Sequence, residues 1–189
     1  CIFCNQRKIT GQDTTANREE VFKVIEEHLK TLPKGEKHVE AAFFGGSFTG
    51  ISAEKQEELL SVAKEFLDRG EIHGIRLSTR PDYISEEILD RLKEYGVTTI
   101  ELGVQSMDNE VLKKASRGHT KEDVICASKL IKSYGINLGL QMMTGLLGDT
   151  FQKSLKTSED IIAIKPDTVR IYPTIVLEGT MLGDMYKKG

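Results

Sequence analysis

Short apolar runs alternate with longer segments of helical period along this chain. Such alternation predicts strand–helix units whose strands lie parallel in one sheet and are joined by right-handed crossovers. The runs are almost continuously apolar, as expected of parallel strands that are covered on both faces. The pattern predicts strands at 38–44, 74–78, 98–104, 136–143 and 168–172, and helices at 17–32, 52–69, 85–95, 120–134 and 150–164.

The number of units limits the architecture. A complete eight-unit barrel needs about 250 residues, whereas this chain has 189. Five strands are visible, and we expect a sixth to precede Cys1. The pattern predicts a partial, open (βα)6 TIM-like barrel with a parallel sheet, formed by one domain over residues 1–189 that is truncated at both ends. A doubly wound open sheet is the alternative, and in either architecture functional groups gather at the carboxyl ends of the strands.

Composition excludes several classes of protein. No apolar run reaches the roughly 20 residues of a membrane span, so we expect no membrane partner. The chain has 3 cysteines, too few and too unevenly spread for a disulfide framework, which indicates a reducing, cytoplasmic location. The net charge of −3 gives no general attraction to nucleic acid. Arg7 and Lys8 lie beside the cysteines, and a local basic patch at this point stays an alternative.

A C-x-x-C pair, Cys1 and Cys4, opens the chain. Alone it fits a zinc site, a redox pair or part of an iron–sulfur site. Structural zinc usually takes four ligands, and the 4 histidines are scattered, which argues against zinc. A thioredoxin-like pair stands at the start of a helix, whereas residues 5–8 lack a helical period. Cys126 falls in a predicted helix among apolar residues, and we expect a small core residue there.

Polar or glycine-rich clusters follow the predicted strands. Paired glycines let the backbone bend sharply and let a ligand approach the main chain. An amide inside an apolar run needs a partner, and an arginine before a helix N-terminus suits an anion. An ordinary turn, a structural hydrogen bond and a solvated loop are the plainer interpretations of these three features. The candidate residues are Gly45, Gly46, Ser47, Ser78, Gln105, Arg117 and Gln141.

Taken together, these segments resemble the radical S-adenosylmethionine superfamily. Its signature, C-x-x-x-C-x-x-C, binds a [4Fe–4S] cluster through three thiolates. Cys1 and Cys4 match the second and third cysteines, and the first would lie four residues before Cys1. Phe3 matches the aromatic residue that usually precedes the last cysteine. The resemblance covers nearly the whole chain.

Two groups within the superfamily are most similar. The elongator catalytic-subunit family resembles the chain at 1–10, 79–82, 101–106 and 117–120, and the oxygen-independent coproporphyrinogen oxidase family shares 103–105 and the downstream arginine. The elongator family also carries an acetyltransferase domain, which nothing in this sequence suggests. The chain departs from the usual patterns at three positions. Ser47 stands where an acidic residue or a threonine is commoner, Ser78 where an acidic residue is commoner, and Leu147 where a proline is usual.

The resemblance implies a role for each candidate residue. Cys1 and Cys4 would ligate the cluster. The remaining residues would contact S-adenosylmethionine: the methionyl ammonium at Gly45, Gly46 and Ser47, the ribose near Ser78, the ribose and carboxylate at Gln105 and Arg117, and further contacts at Gln141 and Phe3. No catalytic side chain is implied.

The implied function is reductive cleavage of S-adenosylmethionine followed by removal of a hydrogen atom from a substrate, by an oxidoreductase or transferase. RNA modification and porphyrinogen oxidation are the candidate reactions, so the partner would be tRNA or a small molecule, with an external electron donor such as flavodoxin or ferredoxin. One alternative is a non-enzymatic metal-binding or scaffold module that uses Cys1 and Cys4 structurally. Another is a different barrel enzyme that binds phosphate near Gly45 or Arg117.

Overall fold

The computed structural model describes residues 1–5, 16–33, 35 and 37–188. Arg7 and Lys8, together with the rest of the elongator-like segment after Asn5, lie outside the described residues. None of the helices in the described part of the chain combines the length and apolar character that a membrane span requires.

Five parallel strands form one sheet in the described part of the chain, and their order in the sheet is their order in sequence. This order is that of a curled half-barrel, because a doubly wound sheet reverses direction at a switch point. The predicted partial barrel is confirmed for these five strands, and the strand expected before Cys1 stays a prediction. The strands are β1 (Glu40–Phe43), β2 (Gly74–Thr79), β3 (Val97–Gln105), β4 (Asn137–Thr144) and β5 (Thr168–Pro173).

Helices alternate with these strands, and side-chain caps fix where several of them begin. The side chains of Ser52, Ser85 and Thr150 each accept a backbone N–H three residues on, and Thr120 forms a reciprocal capping box with Asp123. The helices are α1 (Arg18–Thr31), α2 (Ala53–Asp68), α3 (Glu86–Glu94), α4 (Asn109–Lys114), α5 (Lys121–Ser133), α6 (Phe151–Ile164) and α7 (Met181–Lys188). The predicted helices are confirmed to within one or two residues, whereas the short helices α4 and α7 were not predicted.

The two faces of the sheet differ in polarity. In β3, Ile100, Leu102 and Val104 join the hydrophobic core with the helices, whereas Glu101 and Gly103 lie on the opposite, inner face because side chains alternate along a strand. The prediction of strands that are apolar on both faces is therefore wrong for the inner face. That face carries Arg76, Glu101, Gln141 and Arg170.

Cys126 is exposed on α5, and the prediction of a core residue there is wrong. The buried face of this helix is occupied by Val124, Ala127 and Ile131. Cys126 lies between the positions that recur every three to four residues on that face, so its side chain points to solvent.

Buried hydroxyl groups join the turn after β1 to the end of β2. Thr49 Oγ1 donates to the carbonyl of Tyr83 (2.7 Å), so Thr79 Oγ1 must be the donor in its 2.6 Å hydrogen bond to Thr49. The turn that follows β1 is thereby held against the residues that follow β2.

We expect Thr49→Val to lower the free energy of unfolding by about 1–3 kcal/mol, because the Tyr83 carbonyl and the Thr79 hydroxyl would lose their partner away from water. Urea unfolding monitored by circular dichroism measures this. Thr31→Val, at an exposed position of α1, is the control and should change stability by less than about 0.5 kcal/mol. Equal losses in the two variants would contradict the assigned role of Thr49.

Candidate active site

The carboxyl ends of the five strands surround a cavity of about 680 Å³. Nine of the ten residues predicted from the sequence line it: Cys1, Cys4, Gly45, Gly46, Ser47, Ser78, Gln105, Arg117 and Gln141. The tenth, Phe3, packs instead against the small apolar cluster of Val111, Ala115 and Leu146. Its predicted contact with a cofactor stays a prediction.

The turn after β1 presents main chain to the cavity. Gly45 has φ of +104°, a conformation that side chains other than hydrogen strongly disfavour. No atom lies within 4 Å of the place where a Cβ on Gly46 would stand, so the main chain there is open to a ligand. The Gly46 carbonyl accepts a hydrogen bond from Ser78 Oγ (3.3 Å), which joins this turn to β2.

The end of β3 is strained. Gln105 has φ of +69°, at an irregularity in the pairing of β3 with β4, and its side chain lines the cavity. Its buried Oε1 has no hydrogen-bond partner within the described residues. A Cβ on Gly103 would lie 3.1 Å from both Gln105 Nε2 and Arg117 Nη2. A glycine at position 103 therefore leaves room for both side chains, and backbone strain of this kind concentrates at functional sites.

Arg117 brings a buried positive charge to the cavity. Its Nη2 donates to the Gly103 carbonyl (2.6 Å) and its Nη1 donates to the sulfur of Cys1 (3.1 Å). Its Nε is buried and lacks a partner among the described residues. Burial, followed by the nearby charge of Arg80, lowers the pKa of Arg117 to about 10, so the guanidinium remains charged near neutral pH.

The segment that carries the two cysteines is held by main-chain hydrogen bonds on both sides. The amide of Ile2 donates to the carbonyl of Ala115 (3.1 Å), at the end of α4, and the carbonyl of Ile2 accepts from the amide of Leu182 (2.8 Å), in α7. Ile2 itself is buried. These contacts place Cys1 and Cys4 beside the cavity. The sulfur of Cys1 lies 3.1 Å from Nη1 of Arg117.

His119 lies behind Arg117 and was not predicted as a functional residue. Its Nε2 is 3.1 Å from the carbonyl of Val104, so the neutral ring must carry its proton on Nε2. Its Nδ1 is buried and without a partner in the described part of the chain. Burial, followed by the positive charge of Arg117, lowers the pKa of His119 to about 4.

The lowered pKa of His119 predicts a loss of stability in mild acid. Between its folded pKa of about 4 and the ordinary 6.5, the unfolded state binds more protons, so the free energy of unfolding falls as the pH falls through that window. From pH 7 to pH 5 we expect wild type to lose about 1–2 kcal/mol more than His119→Gln, whose amide can still donate to Val104. Urea unfolding at both pH values measures this, and parallel losses would contradict it.

Several residues of the site were missed by sequence analysis. Phe44, Arg170 and Tyr172 line the cavity, and Glu101 lies beneath it in contact with Gln141. A signal existed for two of them, because Glu101 and Arg170 each interrupt an apolar run as Gln141 does. Phe44 carries no comparable signal, since an aromatic residue at a strand end is ordinary.

The residues around the cavity fit an iron–sulfur cluster and a zwitterionic ligand. Thiolates are the usual ligands of such clusters, and a guanidinium with a free N–H suits a carboxylate. Main-chain carbonyls suit an ammonium group, and the unpaired oxygen of Gln105 suits a hydroxyl. Among the described residues, two thiols at the cavity could ligate a cluster. No group of three or more potential metal ligands is found in this part of the chain.

Comparisons with known proteins show which family the chain is similar to. The sequence model of the Radical SAM superfamily matches residues 1–161. The tRNA uridine(34) acetyltransferase of Methanocaldococcus infernus is 29% identical over 228 residues, which cover 100% of this chain and 42% of that protein. The solved structure of the Methanocaldococcus infernus Elp3 with its N-terminal residues 1–46 deleted has a TM-score of 0.78 and 31% identity, and covers 91% of this chain and 45% of that chain.

A second solved structure shares the fold. Coproporphyrinogen III oxidase (HemN) from Escherichia coli, described as a radical SAM enzyme, has a TM-score of 0.69 at 18% identity and covers 99% of this chain and 44% of that one. The chain spans less than half the length of each of these three proteins. The predicted likeness to the elongator group is confirmed in sequence, and the likeness to coproporphyrinogen oxidase is confirmed in fold.

Proposed function

The chain belongs to the radical S-adenosylmethionine superfamily, and we propose from this that residues 1–189 form the core domain of an enzyme that cleaves S-adenosylmethionine reductively and removes a hydrogen atom from a substrate. The observation that carries the proposal is the convergence of nine predicted residues on one cavity. A scaffold module or a phosphate-binding barrel gives no reason for two thiols to stand beside a buried, incompletely paired arginine.

Each group around the cavity has a proposed partner. Cys1 and Cys4 would hold the cluster, with a further ligand from outside the described residues. The remaining contacts would be made to S-adenosylmethionine, by Gly45, Gly46 and Ser47 at the ammonium, Ser78 and Gln105 near the ribose, Arg117 at the carboxylate, and Gln141 and Phe3 elsewhere. When bound, the cluster and S-adenosylmethionine supply the electron and the 5′-deoxyadenosyl radical.

The protein's own groups prepare the site for that chemistry. The Nη1 group of Arg117, 3.1 Å from the sulfur of Cys1, is placed to donate to a thiolate, which is the form of cysteine that binds iron. Gln105 lines the cavity at the irregular end of β3, and its unpartnered Oε1 is available to a ligand there. Phe44 and Tyr172 give the mouth of the cavity an apolar wall.

We place RNA modification first among the candidate reactions. A relative named as a tRNA uridine(34) acetyltransferase aligns with the whole chain at 29% identity, whereas the likeness to coproporphyrinogen III oxidase, at 18% identity, shows the fold alone. The proposed partners are tRNA and an external electron donor such as flavodoxin or ferredoxin, and the proposed location is the cytoplasm.

Anaerobic reconstitution of the full-length protein with iron and sulfide, followed by dithionite, S-adenosylmethionine and tRNA, tests the function. We expect an iron–sulfur cluster that is detected by its visible absorbance and by its iron and sulfide content, and 5′-deoxyadenosine that depends on the reductant. A cluster that yields no 5′-deoxyadenosine with or without tRNA would contradict the proposed activity. Protein that binds no cluster would favour the structural role for Cys1 and Cys4.

A further inference from the structure

We propose that Glu101 is a positioning residue that orients the amide of Gln141 and the guanidinium of Arg170 at the inner face of the half-barrel, a role that rests on the proposed function. Glu101 is 1% exposed, and its two carboxylate oxygens are divided between different partners. Oε2 accepts from Gln141 Nε2 (2.8 Å), and Oε1 accepts from Arg170 Nη2 (3.0 Å).

The hydrogen-bonding capacity of Glu101 decides which way the Gln141 amide faces. An ionised carboxylate only accepts hydrogen bonds, so Gln141 must present its NH₂ group to Glu101. The carbonyl oxygen on the other side of the amide is then left for a donor in the cavity, which Gln141 lines. Without Glu101 the amide could turn over, and the same side chain would offer a donor instead of an acceptor.

The ionic network around Glu101 explains how a carboxylate can be buried there. Arg76 donates to Glu101 Oε1 (2.8 Å) and also pairs with Glu40 (2.7 Å). Two carboxylates and two guanidiniums thus alternate across β1, β2, β3 and β5, and the buried charge of Glu101 has a guanidinium on each side. Glu40 belongs to the same network and forms no hydrogen bond with Gln141 in the described part of the chain, which makes it a matched control.

Arg170 extends the influence of Glu101 to the wall of the cavity. Its guanidinium lies 5.2 Å from the centre of the Phe44 ring and 3.4 Å from the hydroxyl of Tyr172. Both aromatic residues line the cavity. Glu101 therefore contacts both the amide of Gln141, which lines the cavity, and the guanidinium of Arg170, which packs against the aromatic residues of the cavity wall.

The strand beside Glu101 leaves space for this side chain. Gly139 is the register partner of Glu101 in β4, and a Cβ there would lie 2.7 Å from Glu101 Cγ. No carbon can stand that close to another non-bonded carbon, so a larger residue would displace the carboxylate. Gly139→Ala is thus a second way to move Glu101 without altering its charge.

A double-mutant cycle tests the inference. The full-length protein is reconstituted with its cluster, and the affinity for S-adenosylhomocysteine, a probe that is not cleaved, is measured by calorimetry. We expect Glu101→Gln and Gln141→Met each to weaken binding about tenfold, and the double variant to weaken it about tenfold rather than a hundredfold, because both changes remove one oriented acceptor. Gly139→Ala should match Glu101→Gln, and Glu40→Gln should stay within about twofold of wild type.

The outcomes of this cycle distinguish failure of the role assigned to Glu101 from failure of the proposed function. A hundredfold loss in the double variant, or an equal loss in Glu40→Gln, would overturn the inference while leaving the proposed function intact. Wild-type protein that binds no S-adenosylhomocysteine would overturn both. If circular dichroism shows that Glu101→Gln does not fold, the cycle is run with Glu101→Asp, which keeps the charge between the arginines and withdraws the carboxylate from Gln141 by one methylene group.

Discussion

Cys4→Ala in the full-length protein, reconstituted anaerobically with iron and sulfide, is expected to hold no [4Fe–4S] cluster and to produce no 5′-deoxyadenosine above background. The reason lies in the number of thiolates. A cluster held by three cysteines already has one iron open, and removal of another ligand leaves two anchored corners in a site that offers no further group of metal ligands within the described residues. Cys1→Ala should behave in the same way.

Cys126→Ala is the matched control for both cysteine variants. Its thiol is exposed on α5 and takes no part in the cavity. Iron and sulfide content, the absorbance of the cluster and product formation should all equal those of wild type. Normal iron content in Cys4→Ala would remove that cysteine from the proposed ligands, whatever the activity of the variant.

Arg117→Ala is expected to weaken binding of S-adenosylhomocysteine to the reconstituted protein by about 10–100-fold, because a charge-assisted hydrogen bond contributes about 1.5–3 kcal/mol. The guanidinium is 7% exposed, so water cannot readily replace it. The iron content should stay close to that of wild type, since Arg117 touches Cys1 but is not a ligand.

Arg117→Lys separates charge from shape. A lysine keeps the positive charge but lacks the planar fork that reaches Gly103, Cys1 and a ligand at once, so we expect an intermediate loss of affinity. Arg69→Ala, at the exposed end of α2, should bind the probe as wild type does. An unaltered dissociation constant in Arg117→Ala would remove Arg117 from the binding site.

The positions of most site residues could be predicted because the carboxyl ends of parallel strands converge. Ser78, Gln105 and Gln141 are separated by dozens of residues in sequence, yet each stands near the same edge of the sheet. Parallel pairing of consecutive strands is enough to bring them together. The helix boundaries were predictable for a similar reason, since serine and threonine caps act locally.

Other features depend on contacts that a sequence pattern does not contain. The prediction for Cys126 failed because a shift of one residue around a helix exchanges a buried side chain for an exposed one. Helix α4 has 6 residues, too few to display a period. The pairing of Glu101 with Arg76 and Arg170 joins three strands. A sequence pattern indicates that a buried carboxylate needs a cation nearby, but it does not indicate which arginine supplies it.

The two hydrogen bonds of Ile2 have a consequence for how the protein is made. During translation, Cys1 and Cys4 are synthesised about 180 residues before Leu182, whose amide donates to the carbonyl of Ile2. At ordinary rates of translation this interval lasts roughly 10–40 s. During that delay the two thiols are open to oxidants and stray metal ions. With Cys1 and Cys4 as the proposed ligands, we expect the cluster to be inserted after synthesis of α7, and a pause in translation before that helix to leave the thiols exposed for longer.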